Sequence, residues 1–155
     1  MSKKSKAERF KPLQRIAEHH EQQAAVVMGS SRKALNDIEQ RLQDLVNFRQ
    51  DYSQQISLSG KNGISGARLQ ALYQFVSQLD LAIEQQKQMV VRAQMDCEHH
   101  TQRWQQKHKK TTILSNTVSR FEYNERLIGQ KLEQKLLDEH NQQRVQFMRK
   151  QNKIT

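Results

Sequence analysis

Residues 69–132 decide the fold of this chain, and they read LQALYQFVSQLDLAIEQQKQMVVRAQMDCEHHTQRWQQKHKKTTILSNTVSRFEYNERLIGQKL. Steps of alternately three and four residues through this stretch visit nineteen positions, of which fourteen are apolar. The apolar positions are Leu69, Leu72, Val76, Leu79, Ile83, Val90, Ala93, Cys97, Trp104, Leu114, Val118, Phe121, Ile128 and Leu132. The polar positions are Gln86, His100, Lys107, Thr111 and Glu125. An apolar residue every 3.5 positions, with no proline to interrupt it, is typical of a coiled-coil helix.

A matching apolar stripe precedes this stretch. Its members are Leu35, Ile38, Leu42, Leu45, Tyr52 and Ile56, with Arg49 as a polar exception, and weaker members continue backwards as Val27, Ala24, Ala17 and Leu13. Two successive four-residue steps connect Val27, Ser31 and Leu35, which predicts a stutter that unwinds the supercoil locally. Pro12 suits the first turn of a helix, whereas a capping-box pattern at residues 5–8 offers an earlier start.

The segment SLSGKNGISG at residues 57–66 separates the two stripes and predicts a turn, because it holds three glycines and three serines. Ser65 is a candidate N-cap for the second helix. Two long amphipathic helices joined by a short turn fold back on each other, so we predict an all-α fold, a two-helix antiparallel coiled-coil hairpin. The chain is then one coiled-coil domain over residues 1–155, with helix one at about 12–57, the turn at 58–66, helix two at about 67–148, and basic, frayed termini.

The second helix is predicted to overhang the first. Helix one, with roughly 45 residues, would span about 70 Å, and helix two, with roughly 80 residues, about 120 Å. If Ile56 faces Leu69, then Ile38 lies near Lys87, and the overhang begins at about residue 112 unless residues 1–11 extend helix one. It carries six apolar residues on one face, namely Leu114, Val118, Phe121, Ile128, Leu132 and Leu136. Burying such a side chain stabilises by about 1.5–3 kcal/mol, so this seam either pairs with a second copy, frays, or binds another protein.

A second apolar row lies close to the turn. Phe75, Leu79, Ala82 and Gln86 follow one another at steps of four, three and four, and Phe48 of helix one faces the same region. A two-helix hairpin cannot bury both its seam and this flank, so part of the row is expected to be exposed. Two interpretations remain open: a docking site for a partner, or a broader core around the turn.

Composition excludes several classes of protein. Apolar residues make up 35% of the chain, below the roughly 45–50% of globular domains, which suits a narrow seam better than a wide core. Cys97 is the only cysteine, so an intramolecular disulfide is impossible. The sequence has no phosphate-binding glycine loop and no HExxH or CxxC motif, so we expect no cofactor, no bound metal and no catalysis. With no signal peptide and no apolar run of about 18 residues, the protein is expected to be cytoplasmic without a transmembrane segment.

The net charge of +10 points to an anionic environment or partner. The basic residues concentrate at Lys3, Lys4, Lys6, Arg9 and Lys11, at Lys107, Lys109 and Lys110, and at Arg144, Arg149, Lys150 and Lys153. These clusters are either solvated helix ends or an electrostatic docking surface.

Several segments together resemble a known family. Near the turn they are Asp44–Tyr52 (DLVNFRQDY), Gly63-Ile64, and Tyr73–Gln86 (YQFVSQLDLAIEQQ), and later in the chain Trp104–Lys107 (WQQK) and Gln134–Glu139 (QKLLDE). In order and spacing these segments resemble the FliJ family of small coiled-coil proteins of the bacterial flagellar type III export apparatus.

The resemblance implies an antiparallel coiled coil similar to the rotor stalk of rotary ATPases. The terminal helices, with Leu13 and the overhanging seam, would enter the hexameric ring of the export ATPase and promote its assembly and hydrolysis. The row Phe75, Leu79, Ala82 and Gln86, with Phe48 and Tyr52 nearby, would contact the membrane protein of the export gate. The resemblance further implies binding of export chaperones, a role in motility and chemotaxis, and a peripheral location at the inner face of the cell membrane through the export apparatus.

Two other classes of function stay open beside this one. A basic coiled coil could bind nucleic acid, although the basic residues do not form one continuous helix beside a zipper and no aromatic stacking platform is visible. We therefore expect no nucleic-acid partner. The chain could also be a self-assembling structural coiled coil.

Overall fold

The structure, a computed structural model, describes residues 2–154. It contains two α-helices, α1 at Lys6–Asn62 and α2 at Gly66–Asn152, and the described residues form no strand. The two helices pack against each other in opposite directions. The predicted all-α, two-helix antiparallel hairpin is therefore confirmed.

Helix α1 begins six residues earlier than the predicted start at Pro12. The capping box explains the difference: the Glu8 N–H donates to Ser5 Oγ (3.2 Å), and the Ser5 N–H donates to Glu8 Oε2 (3.1 Å). Two N–H groups that the helix itself leaves unpaired are thereby satisfied. Pro12 consequently lies inside α1 instead of in its first turn.

The turn between the helices is also shorter than the predicted segment 58–66. Helix α1 continues through Asn62, and only residues 63–65 separate it from α2. Gly63 has a φ of +79°, a left-handed conformation that glycine adopts without a steric penalty. Ser65 caps α2 as predicted, because the Arg68 N–H donates to its Oγ (3.3 Å). Helix α2 ends at Asn152, four residues beyond the predicted end at 148.

The chain divides into two compact units, and each unit contains part of α1 and part of α2. The terminal unit comprises the residues up to His19 together with those from Lys109 onwards, and the hairpin unit comprises His20–His108. The predicted core spacing holds in both. Every three-and-four position of α2 from Leu69 to Phe121 is buried or half-buried, whereas Glu125 and Ile128 are exposed.

In the hairpin unit, one buried polar contact fixes how the helices lie beside each other. Gln86 is only 9% exposed, and its Nε2 donates to the backbone oxygen of Ile38 at 3.0 Å. The predicted register placed Lys87 near Ile38, so the observed neighbour is one residue away. A buried polar group on the seam of a coiled coil favours one register over others.

The predicted stutter in α1 is wrong. The partly buried positions run backwards from Leu35 through Ser31, Met28, Ala24 and Glu21 at alternating steps of four and three, whereas Val27 is 45% exposed. The facing seam of α2 keeps its 3.5-residue spacing here, so α1 keeps the same spacing. Met28, with a flexible side chain, occupies the core position that the sequence interpretation gave to Val27.

In the terminal unit, the extended start of α1 packs on α2, and its Ala7 N–H donates to Oε1 of the exposed Glu125 at 3.4 Å. Ala7 and Val118 are nearly inaccessible, at 3% and 4% exposure. The rings of Phe10 and Phe121 meet edge to face at 5.2 Å, and Lys11 Nζ lies 3.1 Å from Glu122 Oε1. The overhang therefore begins after Leu127, not near residue 112, because residues 6–11 do extend the first helix.

Candidate protein-docking surfaces

The aromatic side chains near the turn form a partly exposed patch. The rings of Tyr52 and Phe75 lie 4.5 Å apart with an interplanar angle of 52°. Phe75 remains 40% exposed, and Phe48, one helical turn before Tyr52, is 55% exposed. We call Phe48, Tyr52, Phe75 and Ala82 the tip surface.

Two residues of the predicted docking row are not accessible. Leu79 and Gln86 are each 9% exposed, and Ala82 is half-buried. The reason lies in the spacing, because positions 79 and 86 both belong to the three-and-four seam and face α1. The part of the row that is exposed is therefore Phe75 and some of Ala82, whereas Leu79 and Gln86 lie in the core beneath them and are not accessible to a partner.

One accessible neighbour of this patch was missed in the sequence. Met89 is 45% exposed and follows Phe75 and Ala82 at steps of seven residues, so the three lie on one flank of α2. That heptad spacing was the signal that could have revealed it.

On the opposite flank, Arg49 and Asp80 form an ion pair between the helices. Both are about half-exposed, so the pair contributes little to stability.

The predicted ring-binding seam divides into a covered part and an exposed part. Leu114 and Phe121 are half-buried and Val118 is buried in the terminal unit. Farther along α2, three members of the seam are freely accessible: Ile128 at 60%, Leu132 at 57% and Leu136 at 65%. Leu13 is 50% exposed and lies off the seam, because Gln14 takes the half-buried position beside it. Leu13 is thus corrected from a seam residue to a surface residue.

All residues of α2 from Ile128 to Asn152 are exposed, and we call this stretch the α2 tail. The α2 tail holds four further apolar residues that the sequence analysis did not identify. They are Leu137, Val145, Phe147 and Met148, which are 62%, 48%, 62% and 52% exposed. Steps of three and four continued beyond Leu132 reach Lys135, Glu139, Gln142 and Gln146, so these four apolar residues lie off the seam and its spacing does not reveal them.

Charge is distributed very unequally between the two units. The terminal unit holds sixteen Lys and Arg against seven Asp and Glu, a net charge of +9. The hairpin unit holds ten against nine, a net charge of +1. Nearly all of the positive charge therefore belongs to the unit that contains the α2 tail.

A polar cluster crosses the hairpin unit at its far end from the turn. His108 Nδ1 lies 2.7 Å from Glu21 Oε1, and the His108 ring stacks on Trp104 at 5.1 Å and 12°. These contacts give the cluster a structural role between α1 and α2. Within residues 2–154, no group of three His, Cys, Asp or Glu side chains is arranged to hold a metal ion.

A shallow groove of about 380 Å³ lies beside the half-buried Cys97. Arg32, Leu35, Glu98 and Thr101 border it together with Cys97 and three glutamines, and no histidine does. The Thr101 hydroxyl donates to the Cys97 carbonyl at 2.8 Å, a bond within one helix.

Across the part of the chain that the structure describes, neither helix has an apolar stretch long enough to cross a membrane.

Comparisons with known proteins agree with the geometry of two long packed helices. The family model described as "Flagellar FliJ protein" matches residues 5–152. A curated protein of Salmonella typhi with the same description, "Flagellar FliJ protein", is 25% identical over 130 residues, which are 84% of this chain and 88% of that protein. No solved structure matches the chain.

Proposed function

Because the chain belongs to the flagellar FliJ protein family, we propose that it is a non-enzymatic stalk of the flagellar export ATPase. Family membership implies a non-catalytic component of the flagellar export apparatus. Within that apparatus the terminal unit binds the hexameric ATPase ring, and the tip surface binds the membrane protein of the export gate. Export chaperones are further partners, and the protein works in the cytoplasm at the inner face of the cell membrane.

The single observation that carries the ring assignment is the α2 tail. Ile128, Leu132 and Leu136 continue an apolar face that no helix formed by residues 2–154 covers. A solvent-exposed apolar face of this kind on a preformed helix is suited to a complementary protein surface. Binding in a ring lumen buries a helix from several sides at once, which suits a tail that is exposed all round.

The gate assignment is carried by the tip surface. Phe48 and Phe75 expose 55% and 40% of their surface, and the Tyr52 ring supports Phe75 from α1. Exposed aromatic side chains on a rigid base are frequent anchors of protein interfaces. Leu79 and Gln86 act indirectly, because they hold the two helices together beneath the patch.

The ring assignment is tested with purified export ATPase. A triple variant with Ile128→Ser, Leu132→Ser and Leu136→Ser should lose stimulation of ATP hydrolysis and co-elution with the hexamer, with an affinity at least about tenfold weaker. The matched control changes Leu81, Val91 and Met95 to serine, since these α2 residues of the hairpin unit are 62%, 53% and 65% exposed. Equal stimulation by both triple variants would refute the assignment to the α2 tail.

The net charge of +9 on the terminal unit favours nucleic acid as a second candidate partner. Sub-micromolar binding of duplex or single-stranded DNA at physiological salt would support it, whereas binding confined to low salt would be ordinary counterion release. Light scattering addresses self-assembly in the same preparation, since a stable dimer without the ATPase would favour a structural coiled coil.

A further inference from the structure

Three aspartates of α1 repeat at intervals of seven residues in the hairpin unit. They are Asp37, Asp44 and Asp51, and all three are exposed. No other three acidic residues repeat at this spacing in the sequence, and the chain as a whole carries a net charge of +10. Residues seven apart lie on one face of a coiled-coil helix. The three carboxylates therefore form one row, here called the acidic row.

The acidic row borders the flank of the hairpin that contains the tip surface. A neighbouring row of α1, three residues before each aspartate, consists of Ala34, Arg41 and Phe48. On a helix, each of these lies between an aspartate three positions later and a half-buried core residue four positions later. Phe48, for example, lies between Asp51 and Tyr52. The acidic row is thus the outer edge of this flank.

Helix α2 contributes a second row to the same flank. Phe75, Ala82 and Met89 also repeat every seven residues. Because Tyr52 contacts Phe75, this row lies level with the acidic row to within about one helical turn, over a length of about 21 Å. Phe75 and Met89 are 40% and 45% exposed. We call the five apolar residues of the two rows the apolar flank: Ala34, Phe48, Phe75, Ala82 and Met89.

The opposite flank of the hairpin unit has a different character. Over the same length it mixes charges of both signs, with Arg32, Glu39, Asp80 and Lys87, so it offers no continuous apolar row. Asp80 is also engaged in an ion pair between the helices. In contrast, no aspartate of the acidic row forms an ion pair within residues 2–154. The acidic row therefore has charge available for a partner.

We propose that the apolar flank binds an amphipathic helix of a partner protein, whose Lys or Arg residues lie along the edge that meets the acidic row. The length of about 21 Å corresponds to roughly four turns of helix. Such a helix places apolar side chains at steps of three and four into a groove. Ala82, between the larger Phe75 and Met89, leaves room for one of these side chains.

The inference rests on the proposed function, because the tip surface is one end of the apolar flank and the gate protein is expected to supply the helix. It adds the chemistry of the bound segment and extends the binding surface to Met89, Ala34 and the acidic row. Exposed aromatic anchors alone would fit many apolar partners. A row of carboxylates beside them selects a partner with positive charge on one edge.

The acidic row also decides between other possible occupants. Nucleic acid and anionic lipid would bring phosphates against three carboxylates, which repel them. A second copy of the chain offers no matching edge, because no three Lys or Arg residues of the sequence repeat at intervals of seven. A basic amphipathic helix from another protein satisfies both the apolar and the acidic part of the surface.

The test is a titration of the full chain with the soluble part of the gate protein at several salt concentrations. The triple change Asp37→Asn, Asp44→Asn and Asp51→Asn should weaken binding about tenfold at physiological salt, since three exposed ion pairs are lost. Binding by this variant should also depend less on salt. Met89→Ser should weaken binding about fivefold by removing apolar contact, and should leave the salt dependence unchanged.

Matched controls come from other faces of the hairpin unit. The triple change Glu39→Gln, Glu84→Gln and Glu98→Gln also removes three exposed carboxylates. Met95→Ser removes a methionine that is 65% exposed. Each control should change binding by less than about twofold, because charges beyond a Debye length from the partner are screened. Circular dichroism should show the same helix content in every variant.

The outcomes separate this inference from the gate assignment. If Phe48→Ser and Phe75→Ser weaken gate binding while Met89→Ser and the acidic-row variant bind normally, the gate protein binds only at the tip surface and the helix proposal is wrong. Normal binding by all of these variants would refute the gate assignment together with the inference. An equal loss of binding in the controls would also overturn the inference.

Light scattering and vesicle sedimentation test the remaining occupants in the same preparations. A dimer of the chain that the acidic-row variant no longer forms would assign the apolar flank to a second copy. Binding of anionic vesicles that Met89→Ser abolishes would assign it to lipid. Either result would overturn the proposal, whereas a monomer without vesicle binding through this flank supports a protein helix as the occupant.

Discussion

Replacement of Phe75 by serine removes a side chain that is 40% exposed and packs on Tyr52 with 4.5 Å between ring centroids. Full burial of a phenylalanine stabilises by up to about 3 kcal/mol, so the covered part of Phe75 contributes about 1.5–2 kcal/mol. The aromatic pair adds about 0.5–1.5 kcal/mol. Phe75→Ser should therefore lower the free energy of unfolding by about 2–3 kcal/mol and also weaken binding to the gate protein.

Leu79 provides the comparison, because it is 9% exposed and faces α1. Leu79→Ser creates a cavity and places a hydroxyl in the core, so it should cost about 3–4 kcal/mol. Phe48 is 55% exposed, so Phe48→Ser should cost about 1 kcal/mol or less while still weakening gate binding. Loss of binding that is out of proportion to loss of stability identifies a docking residue.

The assay combines urea unfolding, followed by circular dichroism, with a binding titration of the gate protein's soluble part. A double-mutant cycle of Phe75→Ser and Tyr52→Leu should give a coupling energy of about 0.5–1.5 kcal/mol. A coupling near zero would refute the packing argument. Normal gate binding by Phe48→Ser and Phe75→Ser, measured under conditions where both are folded, would refute the docking argument.

Three further changes test individual parts of the fold. Gln86→Leu should change the free energy of unfolding by less than about 1 kcal/mol, because burial of the leucine offsets the lost hydrogen bond to Ile38. Urea unfolding measures this change, and a loss of stability above about 2 kcal/mol would contradict the expectation. Ser5→Ala should destabilise the first turn of α1 by about 1 kcal/mol and speed amide exchange there, whereas unchanged exchange would argue against the capping box. Gly129→Ala should stabilise the helix by about 1 kcal/mol, since nothing lies within 4 Å of the added methyl group; circular dichroism during heating should show a later loss of tail helicity, and an earlier one would disprove the expectation.

Apolar spacing was sufficient to predict α2 and its core, because a 3.5-residue repeat has only one phase that keeps Leu69, Leu79 and Val118 on the same side. It was less informative in α1. Val27 and Met28 are adjacent in sequence and both are apolar, so only packing against α2 determines which of them is buried. The earlier start of α1 depends on two reciprocal hydrogen bonds between Ser5 and Glu8. The capping-box pattern was visible in the sequence, but Pro12, which suits the first turn of a helix, favoured the later start.

The sequence predicted where the candidate surfaces lie more accurately than which of their side chains are exposed. The aromatic residues near the turn do form a patch, but the sequence row mixed Phe75 from the flank with Leu79 and Gln86 from the seam. The row alternates two flank positions, Phe75 and Ala82, with two seam positions, Leu79 and Gln86, and only residues seven apart in it share one position relative to α1. The α2 tail was predicted from helix lengths, and its starting point moved because the length of α1 depends on a cap, not on apolar residues.

The core of this protein is a single line of side chains between two helices, and the described residues include no large side chain that is fully inaccessible. Each turn therefore depends chiefly on the turns immediately before and after it, as in quasi-one-dimensional repeat proteins. Heat should open such a chain in the manner of a zipper, from its ends inwards, with a broad transition and a van't Hoff enthalpy below the calorimetric one. Gradual opening would let the ends loosen and reclose on a partner while the segments beside the turn keep their alignment.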